Sequence, residues 1–156
     1  MSDERAVKDI KKARNSVFRL LKYRPRSEFE IRDKLKQKKI PAAVIDETCR
    51  YFRDLDLIND RQFAQSWIRY RLLRPFGLNR IRFELRAKGV EDDIIAEELE
   101  HIREDYDELG IVTEIARKRL KKFKSLDKNK AQKRIYDYLL RRGFKTDTII
   151  KALRKL

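Results

Sequence analysis

Cysteine, proline and glycine are almost missing from this chain of 156 residues, which holds one, three and four of them respectively. A lone thiol, Cys49, excludes an internal disulfide framework. So few breakers leave long uninterrupted stretches, and these are rich in Ala, Leu, Arg, Lys and Glu, which favours helix over sheet. No apolar run approaches the length of a membrane span. The opening MSDERAVKDIKK is too charged for a secretory leader, so a cytoplasmic protein with no membrane partner is expected. Histidine occurs once, at His101, with no second His or Cys near it, so metal-ligand spacing is absent. The glycines are isolated and form no phosphate-cradling loop. Acidic pairs such as Asp92–Asp93 have no partner base. Catalysis, a metal and a cofactor are therefore all unexpected.

What is abundant is charge. Charged residues make up 43% of the chain and the formal net charge is +15. Its distribution is uneven: residues 1–60 carry 16 basic and 11 acidic side chains, 61–110 carry 9 and 11, and 111–156 carry 16 and 4. The middle stretch divides again. Arg61 to Lys88 holds eight basic residues and one acidic, whereas Glu91 to Glu108 holds ten acidic and one basic. A field of this size attracts polyanions, nucleic acid first. The plain alternative is a set of solvated helix faces. Hydrophobic residues still reach 41%, enough for a core.

The apolar residues repeat. At an offset of 50, Pro25 meets Pro75, Ile31 meets Ile81, Leu35 meets Leu85, Ile45 meets Ile95, Cys49 meets Leu99 and Phe52 meets Ile102. At a further offset of 54, Ile81 meets Ile135, Leu85 meets Leu139, Gly89 meets Gly143 and Leu99 meets Leu153. Within each block the spacing is helical, as in the i, i+4 pairs Ile31–Leu35, Ile81–Leu85 and Ile135–Leu139. Three helices per block follow: 13–23, 27–38 and 42–55; 61–73, 78–88 and 92–107; 112–124, 129–142 and 147–155. Ser27 with Glu30 forms a capping-box pattern. Gly89 and Gly143 sit just past second helices, Pro41 suits the first turn of the next helix, and Thr146 or Asp147 suits the cap of the last.

The expected architecture is all-α: an elongated array of three tandem three-helix repeats at 13–60, 61–110 and 111–156. Residues 1–12 form a lead, either flexible or a helical extension. Units this small bury little surface alone and gain by stacking. By register Cys49, Phe52 and Phe144 are core, as are Phe63, Trp67 and Tyr70 by helical spacing. His101 is expected on the surface. Phe76, Phe83, Tyr136 and Tyr138 are less constrained. They lie near Arg and Lys, which also suits stacking on unpaired bases, but packing is the expectation.

The stretch from Asn59 to Val90 resembles the signature region of the RecX proteins, bacterial regulators of the RecA recombinase. The matching residues are Asp60, Phe63-Ala64, Arg69, Arg71, Gly77, Ile81, Glu84-Leu85 and Lys88-Gly89-Val90. Ser27, Glu30, Leu35 and Ile40 are similar to the family's shorter opening motif, and the three-block layout covers residues 14–156. The chain departs from the pattern at Lys38-Lys39, where Lys-Gly is common, at Pro75-Phe76, and in its unusually basic third block. The resemblance implies a non-enzymatic modulator, mainly an inhibitor, that lies along the groove of the RecA filament on single-stranded DNA. It would restrain ATP hydrolysis, strand exchange and the coprotease activity of the SOS response.

Subtracting the inward positions leaves the expected contact surface. On the middle second helix this is Arg82 and Arg86, with Lys88 at its end. In the third block it is Lys118, Lys121 and Lys122, then Arg134 and Arg141. Arg69, Arg71, Arg74, Arg142 and Lys145 complete the expected DNA- and filament-binding set. A monomer is expected, with the RecA filament, single-stranded DNA and double-stranded DNA as candidate partners. The acidic helix either pairs with a basic neighbour inside the array or docks a basic face of the recombinase. Two rival readings remain: a helix-turn-helix regulator that reads duplex DNA, and a helical protein scaffold unrelated to DNA.

Overall fold

The computed structural model describes residues 2–156. Among the described residues the regular structure is nine helices and no strand: α1 (Ser2–Tyr23), α2 (Glu28–Gln37), α3 (Ala42–Asp54), α4 (Asp60–Leu72), α5 (Leu78–Ala87), α6 (Asp92–Arg103), α7 (Glu108–Lys122), α8 (Lys128–Arg141) and α9 (Thr146–Arg154). They group in threes. The first and third helices of each unit pack most extensively, α1 on α3, α4 on α6 and α7 on α9. Each unit has its own apolar cluster, built around Ile31, Leu35 and Phe52, around Ile81, Leu85 and Leu99, and around Ile135, Leu139 and Phe144. Cys49 is buried in the first of these.

The extensive helix pairings all fall inside units. The array is correspondingly open. Its accessible surface is 10670 Å², against about 8,300 Å² for a compact monomer of this mass. The expected elongated array of three-helix units is what the chain forms.

Several local expectations are corrected. The first helix starts at Ser2 rather than near residue 13, so the lead is a helical extension. Asp3 and Glu4 favour its N-terminal dipole, while Val7 is exposed, so local propensity carries this part rather than packing. The acidic helix stops at Arg103, short of 107. Pro41 precedes α3 at the N-cap position instead of entering its first turn. Lys145, neither Thr146 nor Asp147, stands at the start of α9. Its own N–H donates to Glu108 at 3.1 Å, so a carboxylate from α7 fixes the chain there. The capping box is complete: Ser27 Oγ accepts from Glu30 N at 3.2 Å, and the Glu30 carboxylate accepts from Ser27 N at 3.1 Å.

The units are joined by their second helices, laid end to end. The C-terminus of α5 meets the N-terminus of α2: Ser27 Oγ donates to the Lys88 carbonyl at 2.6 Å. The C-terminus of α8 meets the N-terminus of α5 in the same way. Gly77 N donates to the Arg142 carbonyl at 2.8 Å, Asn79 N to the Gly143 carbonyl at 3.2 Å, and Arg80 Nη1 to the Arg141 carbonyl at 3.2 Å. Orphan carbonyls of one helix thus meet donors at the start of the next, and the helix dipoles run head to tail.

Glycine is required by both joints. Gly89 and Gly143 adopt φ of 73° and 86°, and a side chain on them would strike Phe29 and Arg80 of the neighbouring unit. Gly77 is at ordinary φ, but a Cβ there would fall on the Gly143 carbonyl. The corresponding residue at the open end of the column is Lys39. It holds the same left-handed turn at φ 57°, and among the described residues no unit stacks beyond it. A lysine therefore meets only the intrinsic penalty of that conformation, about 1–2 kcal/mol.

Two outcomes follow from this difference. Lys39→Gly removes strain without disturbing a joint and raises the melting temperature by about 2–4 °C; a lower melting temperature would mean that Lys39 makes contacts worth more than its strain. Gly77→Ala pushes the second and third units apart. Small-angle scattering should then show a changed radius of gyration at constant helix content by circular dichroism, and an unchanged profile would show that the joint tolerates a methyl group.

Candidate nucleic-acid interface

The candidate surface is built on the first helix of each unit. Aligning the buried pairs Ala13 and Val17 of α1, Ala64 and Ile68 of α4, and Val112 and Ala116 of α7 brings three faces into register. Lys12, Asn15, Ser16 and Arg19 of α1 correspond to Phe63, Ser66, Trp67 and Tyr70 of α4, and to Ile111, Glu114, Ile115 and Lys118 of α7. Each face lines an open cleft.

The cleft on α7, of about 500 Å³, lies between the second and third units. The loop after α4 supplies Arg74, Pro75 and Phe76, and α7 supplies Lys118, Arg119 and Lys122. Four cations face one carboxylate, Glu114, which Lys118 approaches to 2.5 Å. The walls are apolar and aromatic. Phe76 is buried under three guanidiniums, those of Arg71, Arg142 and Arg80, at 3.9, 4.7 and 4.9 Å. Arg119 stands 3.2 Å over Tyr138. Tyr106 donates to the Phe76 carbonyl at 3.3 Å, and burial pushes its phenol well above the usual range, so it stays neutral. A cationic cleft with rigid aromatic walls is suited to a phosphate chain.

The cleft on α1 is more basic still. Lys8, Lys11, Lys12, Arg19 and Lys38 line about 400 Å³ with no acid among them. None of these stood in the expected set. Lys8, Lys11 and Lys12 became legible only with α1 extended back through residues 2–12, and Lys38 reaches the cleft from the end of α2. Arg119 was missed for another reason: it sits on the shoulder of the apolar stripe, between inward and outward positions.

The structure divides the expected residues. Arg74, Lys118 and Lys122 converge on one cleft. Arg69, Lys121, Arg134, Arg141 and Lys145 are exposed outside it. Arg82 is half-buried, and Arg86 is exposed but paired with Asp92 at 2.5 Å. Three others are engaged inside the protein. Arg71 pairs with Glu84, which also accepts from Arg80 at 3.1 Å and from Trp67 Nε1 at 3.0 Å. Lys88 crosses the first joint to Glu30 at 3.0 Å and lies 4.3 Å from the Trp67 ring. Arg142 lies over Phe76 and Tyr138.

Glu30 anchors that first joint. Burial alone would raise its carboxyl, but hydrogen bonds from Arg24, Lys88 and Ser27 outweigh it and hold it at about 2. Asp60 works beside it, accepting from Glu28 N at 2.9 Å at the start of α2, with its own carboxyl pushed up by burial. The acidic helix α6 pairs within its own unit: Arg61 of α4 meets Glu97 at 2.7 Å and the buried Glu98 at 2.8 Å. His101 is exposed. Two aromatics depart from expectation, Tyr70 being half exposed and Phe83 72% exposed, whereas Phe76 packs as expected and Tyr136 and Tyr138 pack against the third core.

Comparison with known proteins adds a family. Models of the first, second and third three-helix domains of RecX match residues 13–52, 59–99 and 105–153. The regulatory protein RecX of Prosthecochloris aestuarii is 35% identical, with 95% of both chains covered. That of Bacillus velezensis is 36% identical over 93% of this chain, which spans only 55% of the Bacillus protein. The crystal structure of RecX from Lactobacillus salivarius superposes with a TM-score of 0.83 at 29% identity, covering 96% of this chain and 97% of that one.

The cationic cleft makes a quantitative prediction. Lys118 and Lys122 are exposed, so replacing both with alanine leaves the fold intact. The slope of log affinity against log salt for a single-stranded oligonucleotide should fall by about 1.4, two phosphate contacts' worth. An unchanged slope would remove the two lysines from the interface.

Proposed function

The chain belongs to the RecX family, and on that footing we propose that it is a non-enzymatic modulator, mainly an inhibitor, of the RecA recombinase. It binds the RecA filament on single-stranded DNA along its groove. There it restrains ATP hydrolysis, strand exchange and the coprotease activity that drives the SOS response, and so acts in recombination and DNA repair. The observation that carries this reading is the end-to-end column of second helices with three register-equivalent clefts beside it, two of them cationic. A linear array of this kind fits a linear, repeating, polyanionic partner better than a compact one.

A helix-turn-helix reading fits less well. The N-termini of α2 and α5 are covered by neighbouring units. The third helix of the middle unit presents Asp92 and Asp93 in its first turn, which repels a DNA groove.

The test adds the protein to RecA filaments assembled on single-stranded DNA and follows ATP hydrolysis. Stoichiometric amounts should slow it, and joint replacement of Lys118 and Lys122 should weaken the effect. Hydrolysis that continues unaltered at stoichiometric protein would end the proposal.

A further inference from the structure

The middle cleft differs in kind from its neighbours. It contains about 380 Å³ between the loop after α1 and the face of α4. Its lining is Arg24, Pro25, Phe63, Ser66, Trp67 and Tyr70, with no carboxylate among them. Trp67 stacks on Phe63 with ring centres 6.1 Å apart and planes 22° apart, and its indole N–H is fixed by Glu84 at 3.0 Å. Tyr70 is 6.0 Å from Trp67 and is 50% exposed. Phe63 is buried, and Trp67 is partly covered, by Phe63 on one side and by Lys88 at 4.3 Å from its ring. Tyr70 is therefore the ring most open to solvent, and with the remaining exposed part of Trp67 it offers an apolar surface to another flat ring.

The flanking charges say which ring. Arg74 lies 5.9 Å over Tyr70 and also lines the cationic cleft on α7, so one cation stands between the two clefts. On the other side, the cleft on the equivalent face of α1 is lined by five cations, with Asn15 and Ser16 between them and no carboxylate. The order along the array is cationic, aromatic, cationic. A single strand has this pattern of needs: phosphates that require positive charge and bases that require an apolar face. A duplex keeps its bases stacked and cannot present one.

We propose that the Trp67–Tyr70 cleft holds an unpaired base of single-stranded DNA, with the adjoining phosphates led into the cationic cleft beyond Arg74. This deepens the proposed function, because it gives the chain a direct hold on the strand. It does not require the recombinase to be present.

Trp67 is the only tryptophan, so its emission reports this cleft alone. The experiment titrates the full chain with oligo(dT), with an abasic strand of equal charge, and with duplex DNA. Contact with a stacked base quenches indole emission, so oligo(dT) should quench it saturably while the abasic strand and the duplex do not. Tyr70 is half exposed, so Tyr70→Ala should fold normally and weaken oligo(dT) binding about tenfold, and Tyr70→Phe should restore it. Equal quenching by the abasic strand overturns the proposal. So does a labelled oligo(dT) that binds without affecting Trp67, or a Tyr70→Ala variant that binds as tightly as the parent. If any of these occurs while the protein still slows the filament's ATP hydrolysis, the cleft assignment fails alone. Quenching by oligo(dT) in a protein without effect on filaments sinks the filament reading and leaves the cleft.

Discussion

Everything in this array depends on the abutment of one second helix on the next. At each joint the carbonyl end of one helix is brought against the amide end of another, at Lys88 and Ser27 and again at Arg142 and Gly77. Groups that would otherwise need water or side-chain caps satisfy one another. The aligned dipoles add a modest attraction. Because the extensive helix pairings lie within units, these joints, with the side chains that bridge them, set how the three cores are arranged.

The two joints solve the same problem with different chemistry. The first is polar: Glu30 collects Arg24, Lys88 and Ser27, and Asp60 secures the adjoining turn from α4. The second is close-packed: Gly77 lies against Gly143, and Phe76 is enclosed by Arg71, Arg80 and Arg142. A serine is tolerated at the first joint because its hydroxyl makes the bond. At the second the backbone N–H makes it, and a side chain would have no room.

This accounts for what the sequence disclosed. Helical periodicity identifies the residues that face their own unit's core, so Ile31, Ile81 and Ile135 were legible, and with them the three repeats. Burial that arises between units leaves no periodic trace. Tyr70 has core spacing within α4 yet opens into the cleft between units. Lys88 and Arg142 read as free cations on an outer face, but the neighbouring unit is where those faces point. The lysines of α1 were hidden because residues 2–12 show little apolar periodicity, and the helix there rests on propensity and its acidic first turn. The lysine at Lys39, where the family pattern has glycine, is tolerated because among the described residues no unit abuts that end of the column.

The residues that carry the family resemblance divide between the cores of single units, as Leu35, Ile40, Phe63, Ala64, Ile81, Leu85 and Val90 do, and the joints. Ser27, Glu30, Asp60, Gly77, Glu84, Lys88 and Gly89 each take part in a contact that crosses from one unit to the next or braces one that does. The clefts follow another rule. Their equivalent positions hold Arg19, Tyr70 and Lys118, or Ser16, Trp67 and Ile115, so the middle copy is aromatic where its neighbours are not. A repeat that must stack needs a donor against the last carbonyls of the neighbouring helix at each joint, whichever residues supply it, but leaves the face beside the joints free to change. The cationic, aromatic, cationic order is therefore information that the shared fold does not require, and it lies on the positions where selection for a partner could act without loosening the column.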